Sequence, residues 1–229
     1  MRSKLAEYND PRLSRAFITK QGTSGKEQAP GTADNAVYAP NGTPEQGTSK
    51  YGTSLFMYSI SAPTLLLSYH ELKFLEAEAL CRLERDAKSA LKDAVVAGLL
   101  NAENSFTISR KELGKTLINA ASSITEAEAE SYFDNTIEAK YTAEPLKTTM
   151  TQKYFALWGA SGEATESYND VRRMKGLGEN FIELKNPNSF PLRCPYGNSD
   201  TTTNAEVKAA YGNGQYVYSE NVWWAGGSR

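Results

Sequence analysis

A mainly α-helical fold, built from tetratricopeptide-like helix pairs with long irregular loops and a C-terminal tail packed over them, is predicted by three features of this sequence. Between residues 63 and 175 apolar side chains recur three and four positions apart, the spacing of one helix face. Residues 20–54 hold no period and are dominated by Gly, Thr, Ser, Asn and Pro, the composition of a long loop. After Gly176 the same irregular texture returns, now with aromatic residues, and ends in NVWWAGGSR. The chain therefore divides into a loop-rich segment (1–62), a helical body (63–175) and an irregular tail (176–229).

The helical body is read element by element. Leu65, Tyr69, Leu72, Leu75 or Glu76, and Ala79 recur near the spacing of one helix face, with Glu71, Lys73, Glu76 and Glu78 supplying most of the polar side. Asp86 suits the cap of a second helix running to about residue 100, whose Ala90, Leu91, Ala94, Val95 and Leu99 share a stripe. Two such helices joined by a few residues form an antiparallel hairpin. A further helical block is expected from about Ser109 through residues 125–140. Then EPLKTTMTQKYFALWG (144–159) places Pro145 in a first turn, Leu146, Met150, Tyr154 and Leu157 on a stripe, and Gly159 at the end. One more helix covers about 163–174. The tail cannot form a core of its own; Phe190, Tyr216, Tyr218, Trp223 and Trp224 are its expected anchors on the helices.

Composition narrows function. The 229 residues carry 25 Lys and Arg against 27 Asp and Glu, a net charge of -2, which gives no electrostatic reason to expect a nucleic acid partner. Cys81 and Cys194 lie far apart and match no metal-binding or redox spacing, and no apolar run reaches the ~18 residues of a spanning helix. His70 is the single histidine, and without further ligands at a suitable spacing it reads as a surface or capping residue. Glu126, Glu128 and Glu130 alternate along a helix, do not face one another, and read as a solvated face. No nucleotide-binding, nucleophile-elbow or zinc-protease motif occurs, so neither a catalytic residue nor a metal or cofactor is expected.

Aromatic residues are the better lead. Flat rings stack on the apolar faces of sugars while Asn side chains bond hydroxyls, so Tyr38, Tyr51 and Tyr58, with Asn35 nearby, are the candidate ligand contacts. The alternative for each tyrosine is anchoring of the loop to the helices. Asp170, Arg172 and Arg173 form a second group, for which a structural clamp on the C-terminal segment is preferred over ligand contact, because a guanidinium fork suits carboxylates and carbonyls.

Separated motifs also resemble one family. YNDPRL (8–13), SAPTLLLSYHELKFLEAEAL (61–80), TMTQKYFALWG (149–159), GEATESYNDVRR (162–173), FPLRCPYGNSDTTTNAEV (190–207) and NVWWAG (221–226) follow, in order, motifs of the SusD/RagB-like outer-membrane nutrient-binding lipoproteins, in their SusD-like branch. Tyr168 stands where the family usually has Trp, and Cys194 interrupts its R-x-P-Y segment. The resemblance implies a non-catalytic cell-surface protein that binds a glycan or peptide and delivers it to a SusC-like TonB-dependent transporter. It also implies a secretory signal, a lipidated cysteine and an N-terminal half. None of these is seen in the present sequence, which is accordingly expected to be the C-terminal portion of such a domain. A helical-repeat protein-interaction module is the competing expectation from the helix pairs alone.

Overall fold

The computed structural model describes residues 1–18, 53–113, 122–183, 190–211 and 216–227. The chain forms two compact units. One comprises Met1–Ala39 with Gly47–Glu183, the other Pro40–Gln46 with Leu184–Arg229.

The first unit is helical. Short helices α1 (Arg2–Glu7) and α2 (Leu13–Ala16) are followed by strand β1 (Phe17–Ile18), which pairs antiparallel with β2 (Thr53–Ser54), Phe17 opposite Ser54. A 3₁₀ turn (Leu55–Tyr58) leads towards α3 (Tyr69–Arg82) and α4 (Lys88–Leu113). Next come α5 (Glu126–Tyr132), a π turn (Phe133–Ile137) and α6 (Glu138–Ala143), then α7 (Pro145–Ala156) and α8 (Glu166–Gly176).

Helices α3 and α4 make the expected hairpin, but α3 turns another side to the core than expected: Tyr69, Leu72 and Ala79 are exposed, while Glu71 and Glu78, expected on the polar side, are buried among ion-pair and capping partners. Phe74 and Ala77 of α3 are buried against a face of α4 whose buried residues, Ala90, Leu91, Ala94, Val95, Gly98, Leu99, Ala102 and Phe106, keep the three-and-four spacing. Small residues there let α7 approach: a Cβ on Gly98 would lie 3.0 Å from that of Ala156. The Asp86 carboxylate accepts from the Lys88 backbone N–H at 3.0 Å, as its capping role requires, and from the Tyr141 hydroxyl at 3.0 Å.

Several boundaries differ from expectation, each for a physical reason. The α3 helix starts at Tyr69 rather than near Pro63, because Ser68 caps it: its Oγ accepts from the Glu71 N–H at 3.1 Å. Ser109, expected to open a new helix, is buried within α4 and donates to the carbonyls of Ser105 and Leu55. The helical run 126–143 carries a π turn that puts Phe133 and Ile137 fully into the core. Helix α7 is central and buried beyond its apolar stripe, taking in Thr148, Thr149, Thr151, Gln152 and Lys153. The threonines Thr149 and Thr151 satisfy themselves by donating to carbonyls four residues back.

The YNDPRL segment is locked into this core. Arg12, 2% exposed, donates through Nε and Nη2 to the two Asp10 oxygens at 2.8 and 2.6 Å, and through Nη1 to the Phe155 carbonyl at 2.7 Å. Tyr132 adds its hydroxyl to Asp10 at 3.3 Å. Arg15 reaches the Ser122 carbonyl at 2.6 Å and Glu128 at 2.8 Å, which ties α2 to the start of α5. An aromatic cluster of Phe17, Phe56, Phe106 and Trp158 closes the core beside the β1/β2 pair, with centroids 4.8 to 5.3 Å apart.

The second unit is less irregular than its composition suggests. It contains α9 (Asn198–Thr203), α10 (Ala205–Tyr211), where Asn204 Oδ1 accepts from two backbone N–H groups, and a 3₁₀ turn (Trp223–Ala225). Trp223 and Trp224 meet edge to face at 5.6 Å and are both largely exposed.

Candidate functional site

Helices α3, α7 and α8 enclose an open cleft of about 470 Å³ in the first unit. Its floor is a chain of ion pairs. Lys153 of α7, 2% exposed, reaches Asp170 of α8 at 2.8 Å. Arg173 joins Asp170 at 2.9 Å and holds Glu78 of α3 through two bonds, that between Nη2 and Oε2 being 2.8 Å. Arg82 donates to Glu78 at 2.6 Å and forks onto Glu179 at 2.8 and 2.9 Å. Three cations thus balance three anions. Burial pushes the Glu78 carboxyl up, but the bonds from Arg173 and Arg82 outweigh it and hold the group below the usual carboxylate range. The Arg82 and Arg173 guanidinium groups are held charged by the same carboxylates.

Beyond Glu71, which also lines the cleft, lies a second polar cluster of a different kind. Glu163, 2% exposed, lies in the turn before α8 and accepts the Ser68 backbone N–H at the N-terminus of α3. That turn is pressed against the segment leading into α3. Gly162 has φ +89°, the Leu65 N–H donates to the Ser161 carbonyl at 2.7 Å, and a Cβ on Gly162 would lie 2.2 Å from the Leu65 oxygen. Glu71 sits beside Glu163, and burial, followed by the Glu163 charge, pushes its carboxyl up to about 7. His70 Nε2 lies 3.2 Å from Ser68 Oγ and 3.7 Å from Glu163. Burial outweighs the attraction of Glu163, lowers the His70 pKa and favours the neutral ring.

His70 is therefore not the surface or capping residue that its sequence position suggests; it is 2% exposed, and Ser68 is the cap. The missed partner is Glu163. Ser68 and Glu71 have the spacing of a capping box, in which the acidic side chain returns to the N-cap N–H. Here Glu163, 95 residues away in sequence, occupies that place, and no local pattern carries it.

Of the predicted site residues, Asp170 and Arg173 are brought together in the cleft, where their ion pairs join α8 to Lys153 of α7 and Glu78 of α3, a different pairing from the clamp expected on the C-terminal segment. Arg172 points elsewhere, its guanidinium 5.7 Å from the exposed Tyr168 ring. Asn35, Tyr38 and Tyr51 lie outside the described residues. Tyr58 closes the 3₁₀ turn after β2, and its side chain also lies outside the described residues. Among the described residues no group of three or more His, Cys, Asp and Glu side chains is arranged to hold a metal ion. No described helix is long and apolar enough to cross a membrane. Cys81 and Cys194 are free thiols, with Cys81 3.6 Å from Thr149 Oγ1.

Residues 1–196 match the family model SusD-like_2, "Starch-binding associating with outer membrane". The chain belongs to this SusD-like family. A SusD/RagB family protein from Bacteroides thetaiotaomicron is 65% identical, with a TM-score of 0.88 over 100% of this chain and 49% of its own. An outer-membrane protein from Bacteroides vulgatus, for which a nutrient-binding role has been suggested, gives 20% identity and a TM-score of 0.64 over 97% of this chain and 50% of its own. A SusD homolog from Bacteroides fragilis gives 17% and 0.63 over the same shares. These last two carry the SusD-like fold and no more. The chain thus spans about half the length of its solved relatives. No curated protein matches the sequence.

Within a SusD-like fold the sequence blocks that carry the resemblance acquire physical roles. The Asp10 and Arg12 of YNDPRL form the buried ion pair, Ser68 and Glu71 open α3, and Glu78 receives both guanidinium groups of the cleft. The polar groups of the cleft are turned chiefly towards one another, an arrangement that fastens helices.

Proposed function

We propose that this chain is the C-terminal portion of a non-catalytic outer-membrane nutrient-binding protein, which captures a glycan or, in a second version, a peptide and passes it to a SusC-like TonB-dependent transporter. Membership of the SusD-like family, over residues 1–196, is the observation that carries this reading. In the full-length protein the chain would be held at the cell surface by a lipidated cysteine.

Ligand contact is assigned to Asn35, Tyr38, Tyr51 and Tyr58. The β1/β2 pair and the Phe17–Trp158 contact, at 5.3 Å, fix the flanks between which the first three lie in sequence. In sequence, Tyr38 and Tyr51 stand among Asn35 and small polar residues, a composition suited to ring stacking and hydroxyl bonding rather than to chemistry. Asp170 and Arg173 are assigned a structural role. Their partners Lys153 and Glu78 are buried, and an ion pair already closed on itself has little left to offer a sugar.

Calorimetric titration of the full-length protein with malto-oligosaccharides, other surface glycans and peptide digests tests this. Saturable heat with one class, lost in Tyr38→Ala or Tyr51→Ala, is the expected result. Silence across all classes, or turnover of any of them, overturns it.

A further inference from the structure

Trp223 and Trp224, expected as anchors of the tail, are 71% and 67% exposed, and Tyr218 before them is 48% exposed. Tryptophan is highly buried on average, so two neighbours this open mark a surface with a use. Their mounting is fixed by the backbone. Val222 enters the 3₁₀ turn extended, and its carbonyl accepts from the Ala225 N–H at 2.9 Å and the Gly227 N–H at 3.0 Å. The Trp223 carbonyl accepts from the Gly226 N–H at 3.1 Å. Gly226 closes the turn at φ +86°, and a Cβ on Gly227 would lie 1.9 Å from the Asn221 oxygen. The sequence WWAGG therefore holds two indoles out on a closed turn, with their ring planes 86° apart. Contact groups held in place in this way lose little freedom when a ligand binds.

We propose that the Trp223/Trp224 turn is a second carbohydrate contact of this protein, which stacks on the C–H faces of neutral sugar rings and bonds their hydroxyls through the indole N–H groups and Asn221. It rests on the glycan version of the function proposed above and adds a contact in the second unit, apart in sequence from Tyr38 and Tyr51.

Size argues against a protein partner. Since a tryptophan covers roughly 150–250 Å², the pair leaves on the order of 200–350 Å² open, against about 800 Å² from each partner in a stable protein interface. That extent fits a sugar ring or a pair of them. Charge argues against other ligands of exposed tryptophan. Bases stack on aromatic rings within positively charged grooves, and amphipathic membrane anchors combine their aromatic residues with Lys and Arg. Residues 216–227 contain neither cation, and Glu220 is their one acid. Polar partners complete the fit. Asn221 is exposed, and neither its side chain nor the two indole N–H groups hydrogen-bond to any described residue. A flat apolar face with a few uncharged polar groups at its rim is what a neutral sugar requires.

The test is fluorine NMR of the full-length protein labelled with fluorotryptophan, its signals assigned by Trp158→Phe, Trp223→Phe and Trp224→Phe. Maltoheptaose, cellohexaose and xylohexaose are titrated in, with calorimetry of each and of peptide digests alongside. Expected is a saturable shift of the Trp223 and Trp224 signals with at least one sugar, while that of Trp158, packed against Phe17 and Phe56, stays in place. Trp223→Ala with Trp224→Ala should weaken that sugar at least about tenfold, with circular dichroism and melting unchanged because both rings are exposed. Trp223→Phe, which keeps a flat ring, should lose less. Two unmoved signals while calorimetry records sugar binding put the glycan elsewhere and sink this inference alone. So does an affinity indifferent to the double substitution, or saturable heat with peptides when every sugar is silent. If both signals move and Tyr38→Ala and Tyr51→Ala change nothing, the turn stands and the loop assignment falls. Silence with all sugars and peptides overturns both.

Discussion

Arg12 shows how much one residue can decide. Its guanidinium is removed from water and answered by Asp10 and the Phe155 carbonyl, so its removal leaves the Asp10 carboxylate buried without its counter-ion. Breaking one side of such a pair costs about 3–5 kcal/mol. Arg12→Ala is expected to lose that much in urea denaturation, whereas Asp10→Leu with Arg12→Met should lose clearly less than the sum of the two single changes. Asp170 raises the same question within the cleft. Asp170→Ala strands Lys153, which is 2% exposed, so a loss of about 3 kcal/mol or more is expected, with faster amide exchange in α8. A ligand-contact role for Asp170 predicts the opposite pattern, unchanged stability with weakened binding, and the two measurements together decide it.

At the scale of elements, the joint between α3 and the turn before α8 should respond to pH. Glu71 faces Glu163 and Glu166 on one hand and Lys153 on the other, with His70 and Glu163 in contact behind it. Its folded pKa, about 7, lies above the ordinary carboxylate value, so the folded chain holds a proton that the unfolded chain gives up. The stability this contributes is complete below the ordinary value, about 4.3, and is lost as pH rises through about 7. His70 acts in the opposite sense: its pKa is lowered, so its contribution is present above the ordinary histidine value and is lost as pH falls through the folded one. Glu71→Gln should therefore flatten the decline in melting temperature between about pH 5 and pH 8 and leave in place the acid limb, to which His70 and the lowered carboxyl of Glu78 both contribute. An unchanged alkaline limb would mean that Glu71 is not its source. The sequence discloses these elements unevenly. The stripe expected on α3 is the wrong one: Tyr69, Leu72 and Ala79 are exposed, and Phe74, Ala77, Glu71 and Glu78 are buried. The face of α4 is legible because Ala90, Leu91, Ala94, Val95 and Leu99 repeat at the period of a helix that buries one side. The surroundings of α7 are not, because a central helix is buried all round and its Thr149, Thr151 and Lys153 look like surface residues until their partners are known. Nor is the π turn at 133–137, which changes no residue type. Glu163 and His70 escaped for a related reason: what makes them matter is a turn folded back from 95 residues away, and local spacing holds no record of it.

For the molecule as a whole, charge rather than shape gives the sharper expectation. The 25 basic and 27 acidic residues nearly cancel, and many of the described ones are paired with one another across α3, α7 and α8 and between α4 and the 126–143 helical run, as in Lys92 with Asp134 at 2.7 Å. Such a surface has no strong field to steer a charged ligand. If the nutrient is a neutral glycan held by stacked tyrosines and amide bonds, its dissociation constant in the full-length protein should move by less than about twofold between roughly 50 and 500 mM salt, since screening acts on charge and not on ring stacking. If instead it is a peptide bound through ionised groups, affinity should fall severalfold over the same range, because the Debye length contracts from about 14 to about 4 Å. Titration at the two salt concentrations with each ligand that gives saturable heat separates the cases. A steep loss for a neutral oligosaccharide would mean that binding proceeds through ionised groups of the protein, and would move the site away from Tyr38 and Tyr51.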